Sequence, residues 1–154
     1  MPTYTLKDEN FMKLAIEQAK IAAELQEIPV GAIVVKDGEI VGKGYNRRET
    51  DKSTIAHAEI LAIEDACKNL NSCRLNDCEL YVTLEPCPMC AGAIINARIK
   101  RVIYGASDEK WGCCGSLANF LVMPFEHNPM SKSKVLEKEC EELLLNFFKN
   151  LRKR

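Results

Sequence analysis

Long apolar runs are missing from this chain. The longest nearly unbroken one, "IPVGAIVV" at 28–35, falls far short of the roughly 20 residues that cross a bilayer as a helix. The opening "MPTYTLKDENFMK" has no apolar stretch behind a basic leader, so no secretory signal is expected. These two absences lead us to expect a cytoplasmic protein with no membrane partner. Without a route to an oxidising compartment, the eight cysteines are expected as reduced metal ligands or small buried hydrophobes rather than as a disulfide framework. An excess of one charge is lacking too: the net charge is −1, so any contact with a polyanion must rest on local patches. Low-complexity tracts, internal repeats and linker-like composition are absent, which argues against disorder, solenoids and a second domain.

What is present suits one domain over residues 1–154. A chain of 154 residues buries roughly 68–70% of its unfolded surface, and 47% apolar with 28% charged residues is the balance of an ordinary globular protein. Basic patches occur at Arg47 and Arg48, at Arg98, Lys100 and Arg101, and in the closing "KNLRKR" at 149–154. Each is as readily a solvated surface, or a helix C-terminus offsetting its dipole, as a nucleic-acid contact.

The periodicity predicts the elements. Phe11, Leu14, Ala15, Ala19, Ala22 and Leu25 recur at helical spacing behind Asp8, a candidate N-cap. Asp37-Gly38 between "IPVGAIVV" and "IVGKGY" predicts a β-hairpin. A helix from about His57 to Asn69, a strand "LYVTL", a helix starting near Pro88 and a strand "RVIYG" follow. Residues 106–134 are broken by glycine and proline, with "SLANFLVM" read as a short helix running into a strand, and a last helix closes the chain. The expected architecture is α/β, a central mixed sheet of about five strands with helices on both faces. The helices before and after "LYVTL" should both pack antiparallel to it, so their N-termini meet at one end of that strand.

That end gathers the chemistry. Cys87-x-x-Cys90 places two sulfurs within one helical turn, at a helix N-terminus that favours thiolates, with Pro86 and Pro88 fixing the entry. His57, from the facing helix, completes a Cys₂His set suited to zinc. A structural site closes its tetrahedron with four protein ligands, whereas a catalytic one leaves the fourth position to water. Three converge here. Taken alone, the pair also admits a structural site completed by Cys113, Cys114, Cys67, Cys73, Cys78, Cys140 or His127, or redox chemistry. Redox use fits less well, because such a pair opens the first helix after the first strand. Glu59 lies two residues from His57, which points it away from His57's own position on the metal but within reach of the water there. It is then a proton carrier, or else a first-turn glutamate held by the helix dipole; the downstream Pro-Cys-x-x-Cys favours the former.

His-x-Glu followed by Pro-Cys-x-x-Cys is the zinc nucleobase deaminase signature. Together with "IPVGAIVV", "GYNRRET", "AHAEILAI", "LYVTLEPCPMCAGAIINARI", "RVIYGASDEKWGCCGSL" and "LLLNFFKNLR", it makes nearly the whole chain resemble the bacterial tRNA-specific adenosine deaminases, within the cytidine/deoxycytidylate deaminase superfamily. The resemblance implies a three-layer αβα, cytidine-deaminase-like fold. It implies hydrolysis of the wobble adenosine of a tRNA anticodon to inosine with release of ammonia, one Zn²⁺ per chain on His57, Cys87 and Cys90, and Glu59 as the proton shuttle. Asn46 would hydrogen-bond the target nucleoside, the backbone at Ala58 would line its pocket, and Asp108 would contact a flanking nucleotide. Of Phe147 and Phe148, one would be a core residue and the other, taken as Phe148, would stack near the anticodon loop, with Arg152 on the RNA backbone. Partners would be a tRNA anticodon stem-loop and a second copy in a homodimer, with no nucleotide cofactor. The chain departs from the family in lacking the Pro-Thr before "AHAE", in Ser107 and Trp111, and in Glu126 before His127.

Two other functions share features with this one. A free-base or nucleoside deaminase acting on guanine or cytosine would use the same zinc core, but the terminal helix and "EPCPMCAGAI" favour the tRNA enzyme. A zinc module that only binds RNA would not need Glu59.

Overall fold

In a computed structural model, which describes residues 5–153, the chain opens with helix α1 (Leu6–Glu24) and a hairpin of β1 (Gly31–Lys36) and β2 (Glu39–Tyr45). Helix α2 (Ala58–Leu70), strand β3 (Cys78–Leu84), helix α3 (Pro88–Asn96) and strand β4 (Arg101–Ala106) follow. A 3₁₀ turn (Phe120–Val122), a short β5 (Met130–Lys132) and helix α4 (Glu137–Arg152) complete it. The sheet order is β2-β1-β3-β4-β5. The pairs β2/β1 and β1/β3 are antiparallel, and β3/β4 and β4/β5 parallel. This is the mixed five-stranded α/β sheet expected.

Both faces of the central strands are covered, which is why they read as unbroken apolar runs rather than as alternation. Ala32 and Val34 of β1, Leu80 and Val82 of β3, and Val102 and Tyr104 of β4 join the core under α2 and α3. Ile33, Val35, Tyr81 and Ile103 point the other way, into a core with Met12, Ala15 and Ile16 of α1 and Cys140 of α4. The helices lie close to the sheet because glycine leaves room: an added Cβ at Gly44 would overlap the Ala58 carbonyl at the start of α2. The hairpin turn has positive φ at both Asp37 (51°) and Gly38 (79°), the backbone that Asp-Gly favours.

Three details differ from expectation. The N-cap of α1 is Thr5, not Asp8. Thr5 Oγ1 accepts from the Asp8 N–H at 3.2 Å and the Asp8 carboxylate accepts from the Thr5 N–H at 3.3 Å, a capping box whose acid sits at the third helical position. Of the expected stripe, Ala15, Ala19 and Ala22 are buried, with Met12 and Ile16 beside them, and Phe11 packs against that core, but Leu14 and Leu25 are exposed. The strand expected after "SLANF" does not form there, and the fifth strand is at 130–132, paired with the start of β4.

Candidate active site

Helices α2 and α3 both begin at the C-terminal end of β3, as the connection lengths require. His57 is the N-cap of α2 and Cys87 the N-cap of α3, and neither side chain makes a capping hydrogen bond. Pro88 occupies the first turn of α3. The imidazole and the thiol therefore turn toward each other instead of back onto their own helices. His57 Nδ1 lies 3.7 Å from Cys87 Sγ and 3.6 Å from Cys90 Sγ. These three are the one group among the described residues whose possible ligand atoms all fall within 4.8 Å of one another. Cys113, Cys114, Cys67, Cys73, Cys78, Cys140 and His127 do not join it.

A tetrahedral zinc with Zn–S near 2.3 Å and Zn–N near 2.0–2.1 Å holds S and N about 3.6 Å apart. The observed spacing fits that ion without rearrangement. Electrostatics agree with the donor set: a hydrogen bond from Cys90, reinforced by His57, lowers the Cys87 thiol to about 4, the thiolate that metal ligation needs. The Cys90 thiol is raised, as donor to Cys87 and by burial beside Glu59. The hydrogen bond between His57 and Cys87 raises the pKa of His57.

Glu59, in the first turn of α2, is 4% exposed. Burial raises its carboxyl to about 7, against the opposing pull of its own backbone amide and of His57. A carboxyl near neutrality can both take and give a proton at ordinary pH. Ala58, fully buried, precedes it on the helix. Asn46 is buried where β2 leaves the sheet; its Nδ2 donates to Ile28 O at 3.2 Å and its Oδ1 accepts from the Arg48 N–H at 3.1 Å. Asp108 Oδ1 accepts the N–H groups of Lys110 and Trp111 at 3.1 Å each, so this side chain shapes its own loop.

Two carboxylates that the sequence did not single out hold the loops beside the site. Glu27, 2% exposed, accepts from the N–H of Glu49 at 3.2 Å and of Thr50 at 2.6 Å, pinning the segment between Asn46 and His57. Glu85, also 2% exposed, accepts from the N–H of Asp108, Cys114 and Ser116 and from Ser116 Oγ, pinning the segment after β4.

The other expected contacts separate. Phe147 is half-buried and Phe148 exposed, with ring centroids 5.4 Å apart at 79°. Phe147 lines a groove of about 190 Å³ with Ala23, Gln26 and Leu143. Arg152 is exposed at the end of α4, and Arg154 lies outside the described residues. In the basic patch at Arg98, Lys100 and Arg101, Arg101 pairs with Asp8 at 2.7 Å and with Glu79, and Arg98 with Glu126 at 3.4 Å. These residues lie at the start of β4, about 17 Å along the strand from the ligand end.

A model of the MafB19-like deaminase family matches residues 6–152. The tRNA-specific adenosine deaminase of Bacillus subtilis is 50% identical over 149 residues, covering 96% of this chain and 92% of that protein. The one from Aquifex aeolicus is 48% identical over 144 residues, covering 94% and 95%. A solved structure from a study of A-to-I editing by tRNA:A34 deaminases at the wobble position superposes with a TM-score of 0.85 at 44% identity, covering 88% of this chain and 99% of that one. A guanine deaminase from Nitrosomonas europaea shares the fold, with a TM-score of 0.81 at 22% identity.

Proposed function

The chain belongs to the MafB19-like deaminase family, alongside the tRNA-specific adenosine deaminases, and from that premise we propose that it hydrolyses the wobble adenosine of a tRNA anticodon to inosine, releasing ammonia. The observation that carries the mechanism is the meeting of His57 Nδ1 with two sulfurs at zinc spacing, beside a buried carboxyl. His57, Cys87 and Cys90 would hold one zinc per chain. Zinc, when bound there, would supply an activated water as nucleophile for C6 of adenine.

Glu59 then carries the protons. It takes one from the attacking water, gives it to the ring nitrogen beside C6, and serves the departing amine in the same way, so adenosine and water become inosine and ammonia. Ala58 would line the pocket, and Asn46 would orient the nucleoside from a loop that its own side chain braces. Asp108 and Phe148 would lie along neighbouring nucleotides, and Arg152 along the backbone. Family likeness is what supports a homodimer. No helix among the described residues is long and apolar enough to cross a membrane, and a tRNA substrate would support a cytoplasmic location.

The test compares zinc-loaded protein on an anticodon stem-loop carrying adenosine at the wobble position with the same protein on free adenosine, guanine and cytosine. The stem-loop should react far faster, because an unpaired loop base leaves its stack cheaply and free nucleosides offer no phosphates to Arg152 or Lys149. Added salt should slow the RNA reaction. Ammonia from free guanine with none from the stem-loop would establish a small-molecule deaminase instead.

A further inference from the structure

One large apolar side chain is exposed on the loop that follows β4. Trp111, the single tryptophan of the chain, is 63% exposed. Its backbone is nevertheless firmly held. The Trp111 N–H donates to Asp108 Oδ1 at 3.1 Å, the Gly112 N–H to Asp108 O at 2.8 Å, and the Cys113 N–H to Pro86 O at 2.9 Å. Pro86 directly precedes the ligand Cys87. Gly112 lies so close to Glu85 that an added Cβ would overlap its carboxylate. The backbone that carries the ring is thus held by hydrogen bonds to Asp108 and to Pro86, next to Cys87.

Resting on the deaminase function above, we propose that Trp111 is a stacking platform for a nucleotide adjacent to the target adenosine in a single-stranded RNA loop. The target base must leave its stack to reach Glu59, and its neighbour then loses a stacking partner. An aromatic face replaces that partner whatever the neighbour's identity. A ring carried on a hydrogen-bonded backbone does so at less cost in loop ordering than one on a free segment. The surroundings favour RNA over a second copy of the chain. Trp111 follows the exposed charged residues Glu109 and Lys110, which the centres of protein interfaces tend to exclude, while Lys110 suits a phosphate.

Because there is one tryptophan, its fluorescence reports this ring alone. Zinc-loaded wild-type protein is titrated with the anticodon stem-loop while inosine is measured in parallel. The expected result is saturable quenching with the stem-loop, none with free adenosine, and loss of the quench when the stacked neighbour is replaced by an abasic nucleotide. Trp111→Ala should raise KM for the stem-loop by about tenfold to a hundredfold, Trp111→Phe should recover most of this, and both should keep their zinc. Inosine formed without quenching, with Trp111→Ala within about twofold of wild type, overturns the platform alone. Fluorescence that follows protein dilution without RNA, with a change of assembly mass in Trp111→Ala, overturns it in favour of a contact between copies. No inosine from wild type overturns the deaminase function and the platform with it.

Discussion

Glu59 and Glu85 are both buried carboxylates within a few residues of metal ligands, and their partners set them apart. Glu85 has its oxygens filled by three backbone N–H groups and a hydroxyl, so no proton can be passed through it without breaking the loop. Glu59 has its own amide and the Cys90 thiol, which leaves it available. Glu59→Gln should therefore keep its zinc by metal analysis and lose about 10²–10⁴-fold or more in inosine formation, the range for a general acid–base group. Turnover within about tenfold of wild type would mean another residue moves the protons. Glu85→Ala orphans all four donors and should cost on the order of 3 kcal/mol in urea unfolding, with Glu85→Gln recovering only part, since half of its amide is a donor facing donors. That His57, Cys87 and Cys90 would come together was legible because a candidate metal set restricts residue type and spacing, with Glu59 two residues from the histidine. Glu27 and Glu85 were not: their partners are backbone amides more than 20 positions away, which leave no pattern of residue type.

At the scale of elements, the start of α2 depends on β2. Gly44 faces the Ala58 carbonyl with no room for a methyl group, so Gly44→Ala should lift the turn that carries His57 and Glu59. Zinc affinity by competition with a chelator should fall by about tenfold or more, while helix content by circular dichroism stays near wild type; unchanged affinity would mean α2 can shift without moving the histidine. The start of α1 is held by charge. Burial pushes the Asp8 carboxyl up, but hydrogen bonds from Arg101, Tyr81 and the Thr5 amide outweigh it and keep the pKa below its ordinary value. A group lowered on folding stabilises the fold above its unfolded pKa, and that contribution is lost as pH falls through the folded pKa. Asp8→Asn should thus lower Tm at neutral pH and converge on wild type as pH drops below about 4; parallel Tm curves would show that Asp8 stays charged or contributes nothing. Most helices and strands were legible from apolar period and from Asp37-Gly38. The N-cap moves from Asp8 to Thr5 because the two form a local capping box with Asp8 at the third helical position, and the fifth strand forms where backbone pairing with the start of β4 is available, at 130–132.

At the scale of the whole molecule, the net charge of −1 turned attention to local patches, yet it could not show that Arg101 is taken up by Asp8 and Glu79. Nor could it show which patch shares an end of the sheet with the ligands. The sheet order shows it, and order is a property of the assembled chain. His57 and Cys87 stand thirty positions apart and meet at one end of β3, which pairs with β1 on one side and β4 on the other. In kinetic terms the ion is a clock for topology. Cys87 and Cys90 alone can hold zinc loosely in an unfolded chain, but tight capture has to wait for a contact of large sequence separation, which forms late. In stopped-flow refolding with a zinc indicator, tight uptake should keep pace with native tertiary signals and trail the gain of helix; capture complete within the mixing time would mean that the two helix starts find each other before the sheet exists.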